Sequence, residues 1–178
     1  MGTRTPIYPY LLTDGRIAEY SIDRSDPPIT GSFFGLLVVY LWSTDDGFSF
    51  VTGSHLEKMG VELEEIPGLA AKDLEEHAKS CLHFEKRGDV TCAFMGGHFE
   101  ASMLFVNRLW DEFLAEMLPD GCVVAIPAND MLCFCDPSSE SGIEELKRTV
   151  RRTFDGGEDL LTEFLFQRSG GKWHAYAG

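Results

Sequence analysis

The chain has 178 residues, 44% of them hydrophobic and 25% charged, the size and composition of a globular domain rather than a disordered segment. Its 29 acidic residues against 15 basic ones leave a formal net charge of −14. That charge repels polyanions, so it argues against nucleic acid or an anionic membrane as partner; it suits a basic protein and equally serves solubility. Five cysteines (Cys81, Cys92, Cys122, Cys133 and Cys135) are scattered through apolar runs in an odd number, the expected pattern of free thiols in a reducing, cytoplasmic compartment. No apolar run reaches the ~20 residues of a membrane helix. The longest, Phe33 to Trp42, has no basic segment before it and does not read as a secretory signal.

Residues 1–30 read as an N-terminal annex, a hairpin and a linker, before one α+β domain at 31–178. Ile7 to Leu12 and Ile17 to Ile22 are expected strands around Thr13-Asp14-Gly15-Arg16, where Asp-Gly is a hairpin-turn signal. Ser25-Asp26-Pro27-Pro28 forces an extended or turned connection. Leu36 to Trp42 is β-branched and aromatic and predicts a buried strand, returned by Phe48 to Val51 after the Thr44 to Gly47 turn. Ser54 and Glu57 have capping-box spacing for a short helix that Gly60 stops. A second helix places Ile66, Ala70, Leu74, His77 and Cys81 on one stripe, with Pro67 in its first turn.

Leu82 to Glu85 and Val90 to Met95 predict strands around Lys86-Arg87-Gly88-Asp89. A helix is expected from Phe99 to Leu118, ended by Pro119-Asp120-Gly121. Cys122 to Ile126 and Met131 to Cys135 form a strand pair around Pro127 to Asp130. Ile143, Leu146, Val150 and Phe154 recur at spacings of three and four and predict the helix from Ser139 to Asp155. A last hairpin runs Leu161 to Gln167 and Lys172 to Tyr176. Successive hairpins separated by helices imply an α+β fold, with an antiparallel or mixed sheet and helices packed on one side.

Gly96-Gly97-His98-Phe99-Glu100-Ala101-Ser102 places a glycine pair between a strand and a helix. Backbone N–H groups at Gly96 and Gly97 could hold an anion there. Walker-A and dinucleotide signatures are missing, however, and Glu100 in the first turn would oppose an anion, so a tight turn is the expected explanation of the glycines. His98, Ser102 and Asp130 have the residue types of a base, a nucleophile and an orienting carboxylate, without a Gly-x-Ser-x-Gly elbow. Cys133 and Cys135 alternate onto one strand face, but no second pair completes zinc spacing, so neither metal nor cofactor is expected. Lys147, Arg148, Arg151 and Arg152 form a basic helix face. Arg148 and Arg152 could bind an anion or partner, or serve the helix dipole and a Glu144–Arg148 pair.

Phe50-Val51-Thr52, Leu56, Gly60-Val61, Gly97 to Leu104, Leu109-Trp110, Val123 to Asp130, Gly142-Ile143, Leu165-Phe166 and Gly171-Lys172 together resemble the YtpQ-like family of uncharacterised bacterial proteins, over roughly Leu36 to Trp173. Asn129, a candidate binding residue beside Asp130, and Pro67 depart from the family pattern. The resemblance implies a bacterial, cytosolic, non-membrane protein and carries no catalytic residues with it. Two functions follow as expectations. One is a non-catalytic interaction or regulatory module, of the acidic inhibitor or immunity type, binding a basic protein or associating with itself through free hairpin edges. The other is a small-molecule hydrolase or transferase with its site at Gly96 to Ser102 and Asp130, drawing on His98, Glu100 and Ser102.

Overall fold

Ile7, Pro9 and Leu11 alternate on one buried face of a short extended run, Leu12 is buried on the other, and they open the fold as strand β1 (Ile7–Leu12). A computed structural model describes residues 4–178; the first three residues of the expected annex lie outside the described residues. The strand expected at Ile17 to Ile22 is not formed. Asp14–Ile17 is instead a one-turn helix, α1, because the Thr13 side chain accepts the Arg16 N–H and closes a helical cap. The partner of β1 lies further along the chain.

Strand β2 (Thr30–Phe33) and strand β3 (Leu36–Thr44) form an antiparallel hairpin in which Phe33 opposes Leu36. The two turn residues, Phe34 and Gly35, both have positive φ, as the right-handed twist of a two-residue hairpin requires. Along its other edge β3 pairs with the whole of β1, from Ile7 opposite Trp42 to Leu12 opposite Leu37. Strand β4 (Gly47–Phe50) returns on the β2 edge of β3 and completes a four-stranded sheet.

The N-cap of helix α2 (Gly53–Met59) lies two residues before the expected one. Thr52, not Ser54, is its N-cap, in a box closed by His55, and Gly60 stops it in the left-handed conformation. Helix α3 (Ile66–Cys81) buries Ile66, Ala70, Leu74 and Ala78 at a regular spacing of four, while His77, placed on that stripe by the sequence, is exposed. Asp73 of α3 accepts the Ile7 N–H and the Arg4 guanidinium, which ties the helix to the start of β1. The chain divides into two compact units, Met1–His77 and Ala78–Gly178.

The second unit is a six-stranded antiparallel sheet. Its strands are β5 (His83–Arg87), β6 (Val90–Phe94), β7 (Cys122–Ala125), β8 (Leu132–Cys135), β9 (Leu165–Ser169) and β10 (Lys172–Ala175), in the spatial order β10-β9-β7-β8-β6-β5. Helix α4 (Glu140–Phe154), capped by the Ser139 hydroxyl, lays Ile143, Leu146 and Val150 against Val90, Val123, Ala125, Cys133, Cys135 and Leu165. Each Ile, Leu or Val side chain among them, when fully buried, contributes roughly 1.5–3 kcal/mol of transfer free energy. Phe166, Val124 and Phe134 form a cross-strand row on the opposite face, where the indole of Trp110 meets the Phe134 ring edge-on at 5.5 Å.

The continuous helix expected from Phe99 to Leu118 is broken. A 3-10 segment at Ala101–Phe105 ends at Val106, whose ψ of 81° leaves the helical region, and a π turn follows at Leu109–Phe113. Two competing bonds account for this. The Ala101 N–H donates to the Asn129 carbonyl, and the Trp110 indole N–H donates to the Met103 carbonyl at 2.9 Å. Tertiary packing of Trp110 overrides the helical periodicity. The architecture is α+β, with antiparallel sheets and helices packed against them. Among the described residues no helix is long and apolar enough to cross a membrane.

Candidate functional site

The glycine turn and the Asn129-Asp130 loop do meet, through the Ala101 N–H and the Asn129 carbonyl at 3.1 Å. What they bring together is mostly buried. Gly96 and Gly97 have positive φ and are exposed, so the glycines serve a turn that other residues enter at a cost. Glu100 is only 2% exposed, and one of its carboxylate oxygens accepts the Met95 and Gly97 N–H groups, both at 2.7 Å. Those amide hydrogens point inward at Glu100, so they are not available to an anion. The bound carboxylate holds the strand end and the turn together.

His98 is exposed and its ring contacts Phe99. Ser102 is fully buried and its hydroxyl has no hydrogen-bond partner among the described residues. Asp130 is exposed, while Asn129 beside it is buried. A serine nucleophile needs a base within hydrogen-bond reach, and Ser102 has none; His98, Ser102 and Asp130 are not assembled as a relay. Among the described residues no group of three or more His, Cys, Asp or Glu side chains is placed to hold a metal ion.

On α4 the basic cluster faces its own acids. Lys147 pairs with Glu144, and Arg148 and Arg152 both reach Glu145. The expected Glu144–Arg148 pair is thus replaced by two pairs at a spacing of three. Arg152 and Asp130 nonetheless share a second setting. They line an open groove of about 430 Å³ along β6, β8 and α4, together with Arg87, Cys92, Cys133 and Glu145.

The groove contains chemistry that linear spacing hid. Cys92 and Cys133 stand directly opposite each other in register on adjacent antiparallel strands. Cys92 is half-buried, whereas Cys133 is 3% exposed. A hydrogen bond from the Cys133 thiol lowers the Cys92 pKa against the effect of burial, and the nearby Arg87 guanidinium acts in the same direction. The same bond, then burial, pushes Cys133 up. Burial pushes Cys122 up to about 12 and Cys135 up to about 11. Cys92 is therefore the thiol most readily ionised of these four.

Two further polar clusters are structural. Asp26 accepts the Thr52 hydroxyl at 2.7 Å and the Ser54 hydroxyl at 2.5 Å, bracing the start of α2, and those bonds hold its carboxyl below the usual range. Arg168, 4% exposed, makes a two-pronged pair with Asp111, also reaches Asn107, and stacks on Trp173. No protein-family model, curated protein or solved structure matches the chain. The resemblance to the YtpQ-like family expected from the sequence is not supported by any family model.

Proposed function

We propose that this chain is a non-catalytic interaction module, an acidic inhibitor or immunity-type protein that binds a basic protein partner in the cytoplasm. The observation that carries this reading is the disposition of charge. The net charge is −14, and many of the cations are turned onto carboxylates of the same chain: Arg4 on Asp73, Arg87 on Glu85, Arg108 on Glu112, Lys147 on Glu144, Arg168 on Asp111. Each pair cancels one charge of each sign, so the acidic surplus dominates the field that a partner meets. Exposed pairs of this kind add little to stability. A surplus of one sign chiefly speeds encounter with the opposite sign and rejects like-charged competitors. Five free cysteines support a reducing compartment.

The hydrolase alternative at Gly96 to Ser102 has less support, since one Glu100 carboxylate oxygen is taken by two backbone N–H groups and Ser102 has no base among the described residues. The test is capture by the tagged full chain at low and high ionic strength. One stoichiometric complex with a basic protein is expected, with an association rate that falls about tenfold or more as salt rises. No complex at low ionic strength, or a partner as acidic as the chain itself, would overturn the reading.

A further inference from the structure

We propose that Cys92 and Cys133 form a reactive dithiol site that exchanges with the disulfides of amino-acid or short-peptide thiols and closes into a reversible cross-strand disulfide. The geometry comes first. Residues directly opposite on antiparallel strands have Cα atoms about 4.5–5.5 Å apart. A disulfide spans Cα separations of about 4.4–6.8 Å. Cys92 and Cys133 are such a pair, so the bond can form without moving β6 or β8. Both thiols open on the same groove, at unequal depth, with Cys92 half-buried and Cys133 at its floor.

That inequality assigns the roles. Cys92 is the more exposed of the two thiols, so a reagent entering the groove meets it more readily than the 3%-exposed Cys133. Their hydrogen bond favours a single thiolate at Cys92, because it stabilises the acceptor sulfur and keeps the proton on the donor. The charged groups around Cys92 are Glu85 and Arg87 on the edge strand, which oppose and favour the thiolate respectively, Glu145 and Arg152 on α4, and Asp130 before β8. Cys122 and Cys135 have no such partner and stay buried thiols.

In the first step the Cys92 thiolate attacks one sulfur of the small disulfide RSSR. The S–S bond breaks, Cys92–S–S–R forms, and RS⁻ leaves. Once Cys92 is capped, the negative acceptor that held the Cys133 proton is gone. Cys133 then gives its proton to the departing thiolate and attacks the Cys92 sulfur, which expels the second RS⁻; that thiolate takes up a proton from water. The protein loses two protons and two electrons, and RSSR becomes two RSH once the proton released when Cys92 first ionised is counted. Two guanidiniums, Arg87 and Arg152, and two carboxylates, Asp130 and Glu145, line the groove. Such a mixed rim suits a zwitterionic ligand, with carboxylate and ammonium groups, better than a neutral one. At about 430 Å³ the groove lies within the roughly 300–1,000 Å³ usual for small-ligand sites.

The reduced full chain would be treated with glutathione disulfide and, in parallel, with uncharged hydroxyethyl disulfide, then quenched and mapped by peptide mass spectrometry. The expected product is a Cys92–Cys133 link with a mass loss of two hydrogens. Reaction should be several-fold faster with glutathione disulfide. Cys133→Ala should stop at the mixed disulfide on Cys92, and Cys92→Ser, at the more exposed position, should abolish both products. A link that maps to Cys135 or Cys122, or a wild-type chain that retains the adduct on Cys92 with Cys133 free, would overturn the dithiol. Equal rates with the two reagents would overturn the zwitterion preference. If Cys133→Ala does not fold, the Cys92→Ser result decides alone: persistence of the link-forming mass loss sinks the proposal.

Discussion

Strand β6 serves two polar regions of opposite character: the turn that follows it, through Glu100, and the groove beside it, at Cys92. At the turn, one buried carboxylate oxygen takes two backbone N–H groups that would otherwise have no acceptor. In the groove, a half-buried thiol faces a second thiol across the sheet, with charged side chains at the rim. The turn has the richer local motif and the groove has almost none. Motif richness in this chain marks backbone architecture, because tight turns need particular residues close together in sequence. Reactive proximity is produced instead by strand register, which joins residues far apart.

Two substitutions would break that contrast if it is mistaken. Glu100→Ala carries the larger expected effect. It strands the Met95 and Gly97 N–H groups, and hydrogen bonds to a charged acceptor contribute about 1.5–3 kcal/mol each. A loss near 3 kcal/mol in a denaturant titration is expected; a loss below about 1 kcal/mol would return the glycine turn to the list of ligand sites. Gly142→Ala probes the cysteine-bearing face. An added Cβ would lie 2.8 Å from Cys135 Cβ and 2.9 Å from Ser139 Oγ. Overpacking of this kind costs about 1–3 kcal/mol. Because Cys135 rather than Cys92 takes the clash, the midpoint should fall while alkylation of Cys92 in the native state keeps its rate. A parallel loss of Cys92 reactivity would mean that the groove and the α4 seam are one cooperative unit.

Much of the fold was legible. Helix α4 follows from Ile143, Leu146, Val150 and Phe154, and the hairpins of the second unit follow from alternation bounded by turn residues. The failures have local causes. Thr13 offered its side chain to Arg16 and closed a helical turn where Asp14-Gly15 suggested a hairpin. Between Phe99 and Leu118 the apolar period was real, but Trp110 and Ala101 found partners at Met103 and Asn129 and the helix broke. His77 and Ala78 traded places because a stripe at a constant spacing of four is set by packing, which rewards a small residue there. Asp130 and Arg152, which the sequence singles out for other roles, line the groove, but Cys92 opposite Cys133 is not readable without strand order. The alternation of Cys133 and Cys135 onto one face was the only advance signal.

Ser102 gives the smallest effect and a sharp one. Its hydroxyl is fully enclosed and has no hydrogen-bond partner among the described residues, so the folded chain bears the desolvation cost of that group without return. Alanine at this position keeps the Cβ and removes only the oxygen, leaving a space too small to cost much as a cavity. Ser102→Ala should therefore leave stability unchanged or raise it by up to about 1 kcal/mol, since removal of an unsatisfied polar group is neutral or favourable. Thermal and denaturant midpoints measured side by side with Glu100→Ala would show opposite signs two residues apart. A loss of more than about 1 kcal/mol in Ser102→Ala would mean that the hydroxyl does have a partner in solution, and the region around the glycine turn would then be a polar site rather than a structural clasp.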